Sequence, residues 1–212
     1  MSGTAEKVAA VLLDTGAFLV RPQEPFRLTS GLYAPFYVNC RLILSRHEAR
    51  IRAAAALAAT VPQPGTTVIA GGVTAGVPFA TLVADRLGLP MVYVRAEAKS
   101  HGTVSRIEGG AVAGERVHLI EDLISTAGSI LAFTEALREA GAEVDGVSVL
   151  FSRASESARL ALEEAGLAIT AICGLDTLLA VALGSGRIDE KGLGEVRAFF
   201  ADPEGWSARH AP

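Results

Sequence analysis

Apolar and polar positions alternate in blocks along the chain, and this pattern predicts strands and helices that follow one another. Short apolar runs occupy residues 66–70, 90–94, 117–120, 144–151 and 168–173. Apolar runs without alternation are typical of strands in a parallel sheet that is covered on both faces. We therefore predict an α/β fold with a doubly wound, mainly parallel sheet flanked by helices.

Between these runs, apolar residues recur at helical spacing. Helices are predicted at residues 4–16, 45–60, 77–87, 129–140, 156–165 and 176–183. Thr4 and Ser45 are predicted amino-terminal caps, and Gly16 is a predicted stop. Residues 25–41 carry many aromatic side chains and indicate two short strands around a Ser-Gly turn. For the end of the chain, which includes Trp206, the composition predicts only that this segment packs against some other part of the fold.

Composition narrows the class of protein. With 212 residues, half of them hydrophobic, the chain can form one domain with a sizeable core and has surface left for a subunit interface. A net charge of −4 and the lack of a basic tract argue against a nucleic-acid partner.

Cysteines and apolar segments indicate the compartment. Cys40 and Cys173 lack the spacing of a metal site, so we expect free thiols in a reducing environment. The first residues do not have the pattern of a secretory signal, and apolar runs are too short to span a membrane. We predict a cytoplasmic protein without a membrane partner.

The most informative stretch is residues 117–129, in which an apolar strand is followed by Glu121, Asp122 and a loop of small and hydroxylated residues. Residues 125–129 can direct backbone N–H groups and hydroxyls at one phosphate, which the next helix also attracts. The two acids can accept hydrogen bonds from vicinal ribose hydroxyls. The alternative is a solvated strand end followed by an ordinary helix cap.

Two other loops follow predicted strands. The glycine-rich turn at 71–76 lets backbone amides approach a phosphate, although it is also compatible with a tight turn without ligand. Residues 95–110 are polar and contain Arg95, Lys99 and His101, which suits a lid that closes over a polyanion. The alternative is a solvated charged loop.

A basic residue follows the strand at 144–151. Arg153 stands where ligands bind in sheets of this kind. Its guanidinium fork suits a planar carboxylate. The alternative is an exposed arginine at the start of a helix.

Residues 117–129 resemble the phosphoribosyl-pyrophosphate (PRPP) motif of type I phosphoribosyltransferases. Residues 25–41 are similar to the segment that forms a hood over the pyrimidine in orotate phosphoribosyltransferases. The pattern Arg-x-x-x-Lys-x-His-Gly at 95–102 resembles the catalytic loop of that family, and 71–76 resembles its pyrophosphate loop. Departures from the family pattern occur at Thr29, Ala34, Ala96 and Ser152.

The resemblance implies a single domain over 1–212 with a type I phosphoribosyltransferase fold, in which 1–44 contribute the hood. It implies transfer of the phosphoribosyl group from PRPP to orotate, which gives orotidine 5′-monophosphate and pyrophosphate in pyrimidine biosynthesis. It also implies Mg²⁺, held mainly by PRPP and water rather than by a metal site of the protein. A homodimer is expected, with the 95–110 loop acting on the neighbouring subunit's site.

The resemblance implies residue roles as well. Catalytic roles fall to Lys99, His101 and Asp122. PRPP binding falls to Thr74, Ala75, Arg95, Lys99, His101, Glu121, Asp122, Leu123, Ile124, Ser125, Thr126, Ala127, Gly128 and Ser129. Orotate binding falls to Phe36, Tyr37, Ser125 and Arg153.

Two other functions remain open at this point. One is phosphoribosyl transfer to another base, such as a purine or xanthine, against which Arg153 and the hood argue. The other is a regulatory protein on the same fold that binds nucleic acid or a nucleotide effector. The acidic net charge and the presence of Lys99 and His101 argue against it. A dinucleotide-binding domain needs a Gly-x-Gly-x-x-Gly turn after its first strand. Residues 71–76 do not have that spacing, which argues against this class.

Overall fold

A computed structural model describes residues 3–28, 30–96 and 105–211. The strands are β1 (Phe18–Val20), β2 (Phe26–Arg27), β3 (Tyr33–Ala34), β4 (Phe36–Val38), β5 (Val68–Gly72), β6 (Met91–Val94), β7 (Ile107–Glu108), β8 (Arg116–Ile124), β9 (Glu143–Ser152) and β10 (Ile169–Gly174). The helices are α1 (Thr4–Asp14), α2 (His47–Ala58), α3 (Gly76–Leu87), α4 (Gly128–Glu139), α5 (Glu156–Glu164), α6 (Leu175–Gly184), α7 (Glu190–Ala201) and α8 (Pro203–His210), with a 3-10 helix at Cys40–Ser45.

The centre of the fold is a six-stranded sheet with the order β10-β9-β8-β5-β6-β7. Its first five strands are parallel, and β7 runs antiparallel to β6. This confirms the predicted doubly wound, mainly parallel sheet. Strand β7 was not predicted, because its two residues lie within the polar stretch taken as a loop.

Helices cover both faces of the sheet, as the apolar strands require. On one face, α1, α2, α3 and α6 share a core that contains Leu12, Leu57, Phe79 and Leu178. On the other face, α4 and α5 pack over a second core around Leu137. In the described part of the chain, no helix has both the length and the apolar character needed to cross a membrane.

Two predicted caps are wrong in detail. Helix α2 begins at His47, and its cap position is Arg46, without a side-chain hydrogen bond. Ser45 instead ends the 3-10 helix, where its hydroxyl donates to the carbonyl of Leu42 at 2.9 Å. At α1 the cap position is Gly3, so Thr4 is already helical.

The amino-terminal strands form two small sheets that extend away from the central one. Strands β2 and β3 pair as the predicted hairpin, while β1 pairs with β4. Both small sheets pack on the carboxyl-terminal helices: Phe36 in β4 contacts Phe199 and Phe200 in α7, and the N–H of Tyr33 donates to the hydroxyl of Ser207 in α8 at 2.9 Å. The sequence did not predict α7 or α8, so it missed that the amino-terminal strands pack against helices from the other end of the chain.

His118 has a structural role, because it joins β8 to β9. Its Nδ1 lies 2.8 Å from a carboxylate oxygen of Asp145, and its Nε2 lies 2.8 Å from the hydroxyl of Ser148. The hydroxyl of Thr60, after α2, donates to Ser148 at 2.7 Å. Burial lowers the pKa of His118, and the hydrogen bond and charge of Asp145 oppose that shift. The neutral imidazole therefore holds the two central strands and the end of α2 together.

Candidate active site

A pocket of about 230 Å³ opens at the carboxyl ends of β5 and β8. In a doubly wound sheet, this edge is where ligands bind. The lining includes ten of the residues predicted to bind PRPP, which are Thr74, Ala75, Glu121, Asp122, Leu123, Ile124, Ser125, Thr126, Ala127 and Ser129. Val73, Ile130 and Phe133 complete it.

The acid pair lies inside β8 rather than after it. Strand β8 continues to Ile124 because its ladder with β9 extends to the pair Ile124 and Ser152. Glu121 and Asp122 are each only 7% exposed. The prediction that they stand at the end of a shorter strand is therefore corrected: they are buried within the last part of a longer one.

The two carboxyl groups influence each other's charge. The N–H of Asp122 donates to Oε2 of Glu121 at 3.1 Å. Burial, followed by the charge of Asp122, raises the pKa of Glu121 well above its usual value. Burial also raises the pKa of Asp122, but its hydrogen bond with Glu121 and the charge of Arg41 act against that shift. Adjacent buried carboxylates do not both ionise readily, and the raised pKa of Glu121 favours its protonated form.

Two glycines make room for Glu121. A Cβ atom added to Gly72 would lie 1.9 Å from Oε1 of Glu121 and 2.4 Å from the ring of Phe133. A Cβ atom added to Gly76 would lie 2.9 Å from the same oxygen. Because Gly72 ends β5 and Gly76 begins α3, the Glu121 side chain fills the space beside the turn between them.

The turn between β5 and α3 supplies one wall of the pocket. Thr74 and Ala75 line it, and the peptide bond between Val73 and Thr74 is cis. Gly71 approaches α3 so closely that an added Cβ would lie 2.8 Å from Cα of Val77. Helix α3 thus starts directly behind the turn, with its amino end at the same edge of the sheet.

The turn between β8 and α4 supplies the opposite wall. Ser125, Thr126 and Ala127 connect the two elements, and Ala127 has a left-handed backbone with φ of 65°. Helix α4 begins at Gly128, which stands outside the lining, whereas Ser129 belongs to it. Hydroxyl groups and the amino end of a twelve-residue helix therefore meet at one point, an arrangement that favours an anion.

Of the three cations predicted in the 95–110 loop, only Arg95 is among the described residues, and it does not line the pocket. Arg95 forms an ion pair with Glu108 at 2.9 Å and lies 5.8 Å from the ring centroid of Tyr93, away from the pocket lining. Glu108 also accepts a hydrogen bond from the hydroxyl of Tyr93 at 2.6 Å. Lys99 and His101 lie outside the described residues, as does Thr29.

Arg153 follows β9 and is joined to the end of β8. Its backbone N–H donates to the carbonyl of Ile124 at 3.0 Å, next to Ser125 in the pocket. Its guanidinium carbon lies 5.6 Å from the ring centroid of Phe36. Among the described residues, Nε of Arg153 is buried and has no hydrogen-bond partner. Burial lowers the pKa of this group, so the guanidinium is partly stripped of water before any ligand arrives.

The two aromatic residues predicted to bind orotate point in different directions. Phe36 is 1% exposed and faces Arg153, whereas Tyr37 is 38% exposed. Tyr37 stacks on Phe26 with 5.5 Å between ring centroids, and Arg21 lies over Phe26 at 5.4 Å. The structure therefore brings Phe36, but not Tyr37, to Arg153.

Three features of the site were missed at the level of sequence. Phe133 lies in the predicted helix 129–140 but was not predicted to line the pocket, and Val73 was not singled out. The contact of Gly72 with Glu121 joins residues that are far apart in sequence, so no local signal indicates it. Among the described residues, no group of three or more His, Cys, Asp or Glu side chains is placed to hold a metal ion.

Comparison with known proteins places this geometry in a family. The profile of the phosphoribosyl transferase domain matches residues 43–162. An orotate phosphoribosyltransferase of Levilactobacillus brevis is 42% identical over 204 residues, which cover 95% of this chain and 97% of the relative. One of Enterococcus faecalis is 39% identical over 208 residues, which cover 97% of this chain and 99% of the relative.

Solved structures agree with these relatives. The crystal structure of orotate phosphoribosyltransferase from Aeropyrum pernix has a TM-score of 0.73 and 32% identity, covering 86% of this chain and 99% of that chain. The structure of Leishmania donovani UMP synthase has a TM-score of 0.81 and 30% identity, covering 94% of this chain but only 42% of that chain. The chain described here belongs to the orotate phosphoribosyltransferase family.

Proposed function

We propose that the pocket at the ends of β5 and β8 is the active site at which this enzyme transfers the phosphoribosyl group from PRPP to orotate. The products are orotidine 5′-monophosphate and pyrophosphate, in pyrimidine biosynthesis. The observation that supports this site most is a buried acid pair beside a hydroxyl-lined turn. Next to it, after the neighbouring strand, Nε of Arg153 is buried and has no hydrogen-bond partner in the part of the chain that the structure describes.

The acid pair and the two turns suit the parts of PRPP. Asp122, as a carboxylate, accepts hydrogen bonds from ribose hydroxyls, and protonated Glu121 has a donor as well as an acceptor to offer. Residues 125–129 bind the 5′-phosphate at the amino end of α4. Thr74 and Ala75, in the opposite wall, bind the pyrophosphate.

Arg153 and Phe36 suit the base. A guanidinium that is already partly dehydrated loses little more water when a planar carboxylate arrives, and it gains charge-assisted hydrogen bonds. Uracil lacks that carboxylate, so this arrangement favours orotate. Ser125 lies beside both the phosphate turn and the Ile124 carbonyl that holds Arg153, so we keep it as an orotate contact.

The chemical step needs negative charge to be stabilised on the departing pyrophosphate. As the anomeric bond breaks, the sugar becomes cationic and the leaving group becomes more anionic. We assign Lys99, His101 and Arg95 to the leaving group, with His101 able to protonate an oxygen. Because the 95–110 loop resembles the family's catalytic loop, which reaches the neighbouring subunit's site, we place these cations in the site of a partner subunit, in a homodimer.

Magnesium is expected from membership of the family and would supply further charge neutralisation on the pyrophosphate. Asp122 is a suitable carboxylate donor, but one acid pair is a small ligand set for an all-protein site. We therefore assign the remaining ligands to PRPP oxygens and water. We also propose a cytoplasmic location, which the free, buried thiols of Cys40 and Cys173 support.

The decisive experiment follows orotate by its ultraviolet absorbance after PRPP and Mg²⁺ are added to the purified protein. We expect orotate to be consumed, and pyrophosphate to form, only when the protein, PRPP and Mg²⁺ are all present. Parallel reactions with uracil, adenine, hypoxanthine and xanthine test the alternative bases. Turnover of a purine base without turnover of orotate would contradict the proposal.

A further inference from the structure

Helix α7 holds the ring that lies under Arg153. Phe200 stacks on Phe36 with a centroid distance of 5.3 Å and an angle of 20° between ring planes. Phe199 meets Phe36 edge-on at 5.6 Å. We refer to Phe36, Phe199 and Phe200 as the aromatic wall. Phe36 is 1% exposed and also meets Phe18 with 6.0 Å between ring centroids, so its ring orientation is set by packing rather than by water.

Arg153 depends on the aromatic wall for its environment. Its guanidinium carbon is 5.6 Å from the Phe36 centroid, and its Nε is buried without a hydrogen-bond partner among the described residues. The face of a ring attracts a cation, and the attraction is stronger where water is excluded. The ring thus replaces part of the hydration of the guanidinium and leaves N–H groups free to meet a planar acceptor.

The two phenylalanines of α7 have different surroundings. Phe199 is 4% exposed and also meets Trp206 edge-on at 5.9 Å, so it belongs to the core of the carboxyl-terminal helices. Phe200 is 36% exposed, so it lies at the surface and not in that core. It stacks on Phe36 and meets Phe199 edge-on. Core packing therefore accounts for Phe199 but not for Phe200.

We infer that Phe200 is a positioning residue for base specificity: it fixes the plane of Phe36, over which the Arg153 guanidinium is held ready for a planar aromatic carboxylate. The inference rests on the proposed function. A base without a carboxylate gains little from this arrangement, so Phe200 affects the choice of base and not the handling of PRPP.

The test compares Phe200→Ala and Phe200→Tyr with the wild-type enzyme, varying orotate, uracil and PRPP in turn. For Phe200→Ala we expect KM for orotate to rise about tenfold, the size of effect that a desolvated cation–ring contact supports. KM for PRPP and kcat should stay within about twofold, and the preference for orotate over uracil should fall about tenfold. Phe200→Tyr, which keeps the ring, should restore wild-type values.

A double-mutant cycle distinguishes action through Arg153 from a general effect on the fold. In an Arg153→Ala background, the further change Phe200→Ala should alter the dissociation constant for orotate, measured by calorimetry, less than about twofold. Leu160→Ala is the matched control, because Leu160 is an exposed apolar residue of helix α5, 45% accessible. Thermal unfolding of each variant shows whether the fold is retained.

Three results would overturn the inference while leaving the proposed function intact: an unchanged KM for orotate in Phe200→Ala, an equal rise in KM for both substrates, or full additivity with Arg153→Ala. Failure of the wild-type enzyme to consume orotate with PRPP and Mg²⁺ would instead overturn the proposed function, and the inference with it. The two failures are thus measured on different proteins.

Discussion

Glu121 and Asp122 are adjacent in sequence but have different surroundings. Glu121 packs against the glycines that flank the β5–α3 turn and against the ring of Phe133. Asp122 lies close enough to Arg41 for that charge to favour its carboxylate form. One proton on Glu121 and one negative charge on Asp122 is therefore the arrangement with the least repulsion.

This difference predicts unequal effects of two isosteric substitutions. In the proposed site, Asp122→Asn removes the negative charge that strengthens hydrogen bonds from the ribose hydroxyls. It should therefore weaken the binding of PRPP by on the order of 1–3 kcal/mol. Glu121→Gln replaces a neutral carboxylic acid by a neutral amide and should raise KM for PRPP less than about threefold. Steady-state kinetics with PRPP as the varied substrate measure both. Equal losses would show that both acids act as carboxylates.

At the scale of residues, sequence could indicate the acids but not their roles. Two neighbouring acids before a Ser-Thr loop are a local pattern, so Glu121 and Asp122 were predicted as site residues. Their burial inside β8 depends on the ladder with β9, and the glycines that shape the space for Glu121 belong to another strand. Likewise, that Nε of Arg153 is buried without a hydrogen-bond partner among the described residues depends on tertiary packing, which no local pattern indicates.

Among the elements, the junction of β5 and α3 is the most tightly packed part of the site. Gly71 and Gly72 approach α3, Glu121 and Phe133 closely, so this segment of backbone has little room for side chains. The position of the turn that contains Thr74 and Ala75 is therefore coupled to the position of Glu121. A substitution that moves this turn should therefore also move Glu121, and one that moves Glu121 should also move the turn.

Gly72→Ala tests this coupling. An alanine Cβ would overlap Glu121 Oε1 and Phe133, which should cost about 1–3 kcal/mol of unfolding free energy and raise KM for PRPP. Gly194→Ala in α7 is the matched control, because no atom lies within 4 Å of an added Cβ there. That control should gain about 0.5–1 kcal/mol from the better helix former. Denaturant unfolding measures both, and a neutral Gly72→Ala would contradict the tight packing.

His118, which joins β8 to β9, should make the stability of the protein depend on pH. Burial lowers the pKa of His118 below its value of 6.5 in the unfolded chain. Between those two pKa values the unfolded state binds more protons, so this histidine makes the free energy of unfolding fall as pH drops below about 6.5. The loss is at most about 1.4 kcal/mol per pH unit.

The measurement compares unfolding at pH 7.5 and 5.5 in wild type, His118→Asn and His47→Asn. His118→Asn should be less stable at pH 7.5 but should lose less stability on acidification than the wild-type protein. His47→Asn is the matched control, because it removes an exposed histidine at the start of α2 instead of a buried one. The same pH dependence in His118→Asn and wild type would rule out a neutral His118.

Strands and helices could be predicted where the sequence of the element itself has a clear hydrophobic pattern. This holds for the apolar runs of β5, β8 and β9 and for the helical spacing of apolar residues in α4 and α5. Strands β1, β4 and β7 have only two or three residues each, which is too short for periodicity to register. Their pairing is decided by tertiary contacts, as is the position of α7 and α8.

At the scale of the whole molecule, the side of the structure that carries Phe36 and Arg153 depends on contacts between the two ends of the chain. The β2–β3 hairpin is tied to α8 through Ser207, and Phe36 is packed by α7. Trp206 lies behind these contacts, 1% exposed, and its indole N–H donates to Glu195 at 2.8 Å. Stability and base recognition are therefore linked through the carboxyl-terminal helices.

Trp206→Ala tests that link. Removing a fully buried indole should lower the free energy of unfolding by about 3–5 kcal/mol. KM for orotate should rise more than KM for PRPP, because the aromatic wall supports Arg153 and not the acid pair. Circular dichroism in denaturant and steady-state kinetics give the two readouts, with Leu160→Ala as control. A loss below about 1 kcal/mol, or a selective rise in KM for PRPP, would contradict this arrangement.

The hydrogen bond from Tyr33 to Ser207 joins residues separated by 174 positions. A ribosome releases residues in order, so the hairpin emerges from the exit tunnel long before the helices that support it have been translated. The two walls of the pocket at the ends of β5 and β8 come from the middle of the chain and can form earlier. Under the proposed function, the nascent protein is therefore expected to acquire its PRPP site before its orotate site.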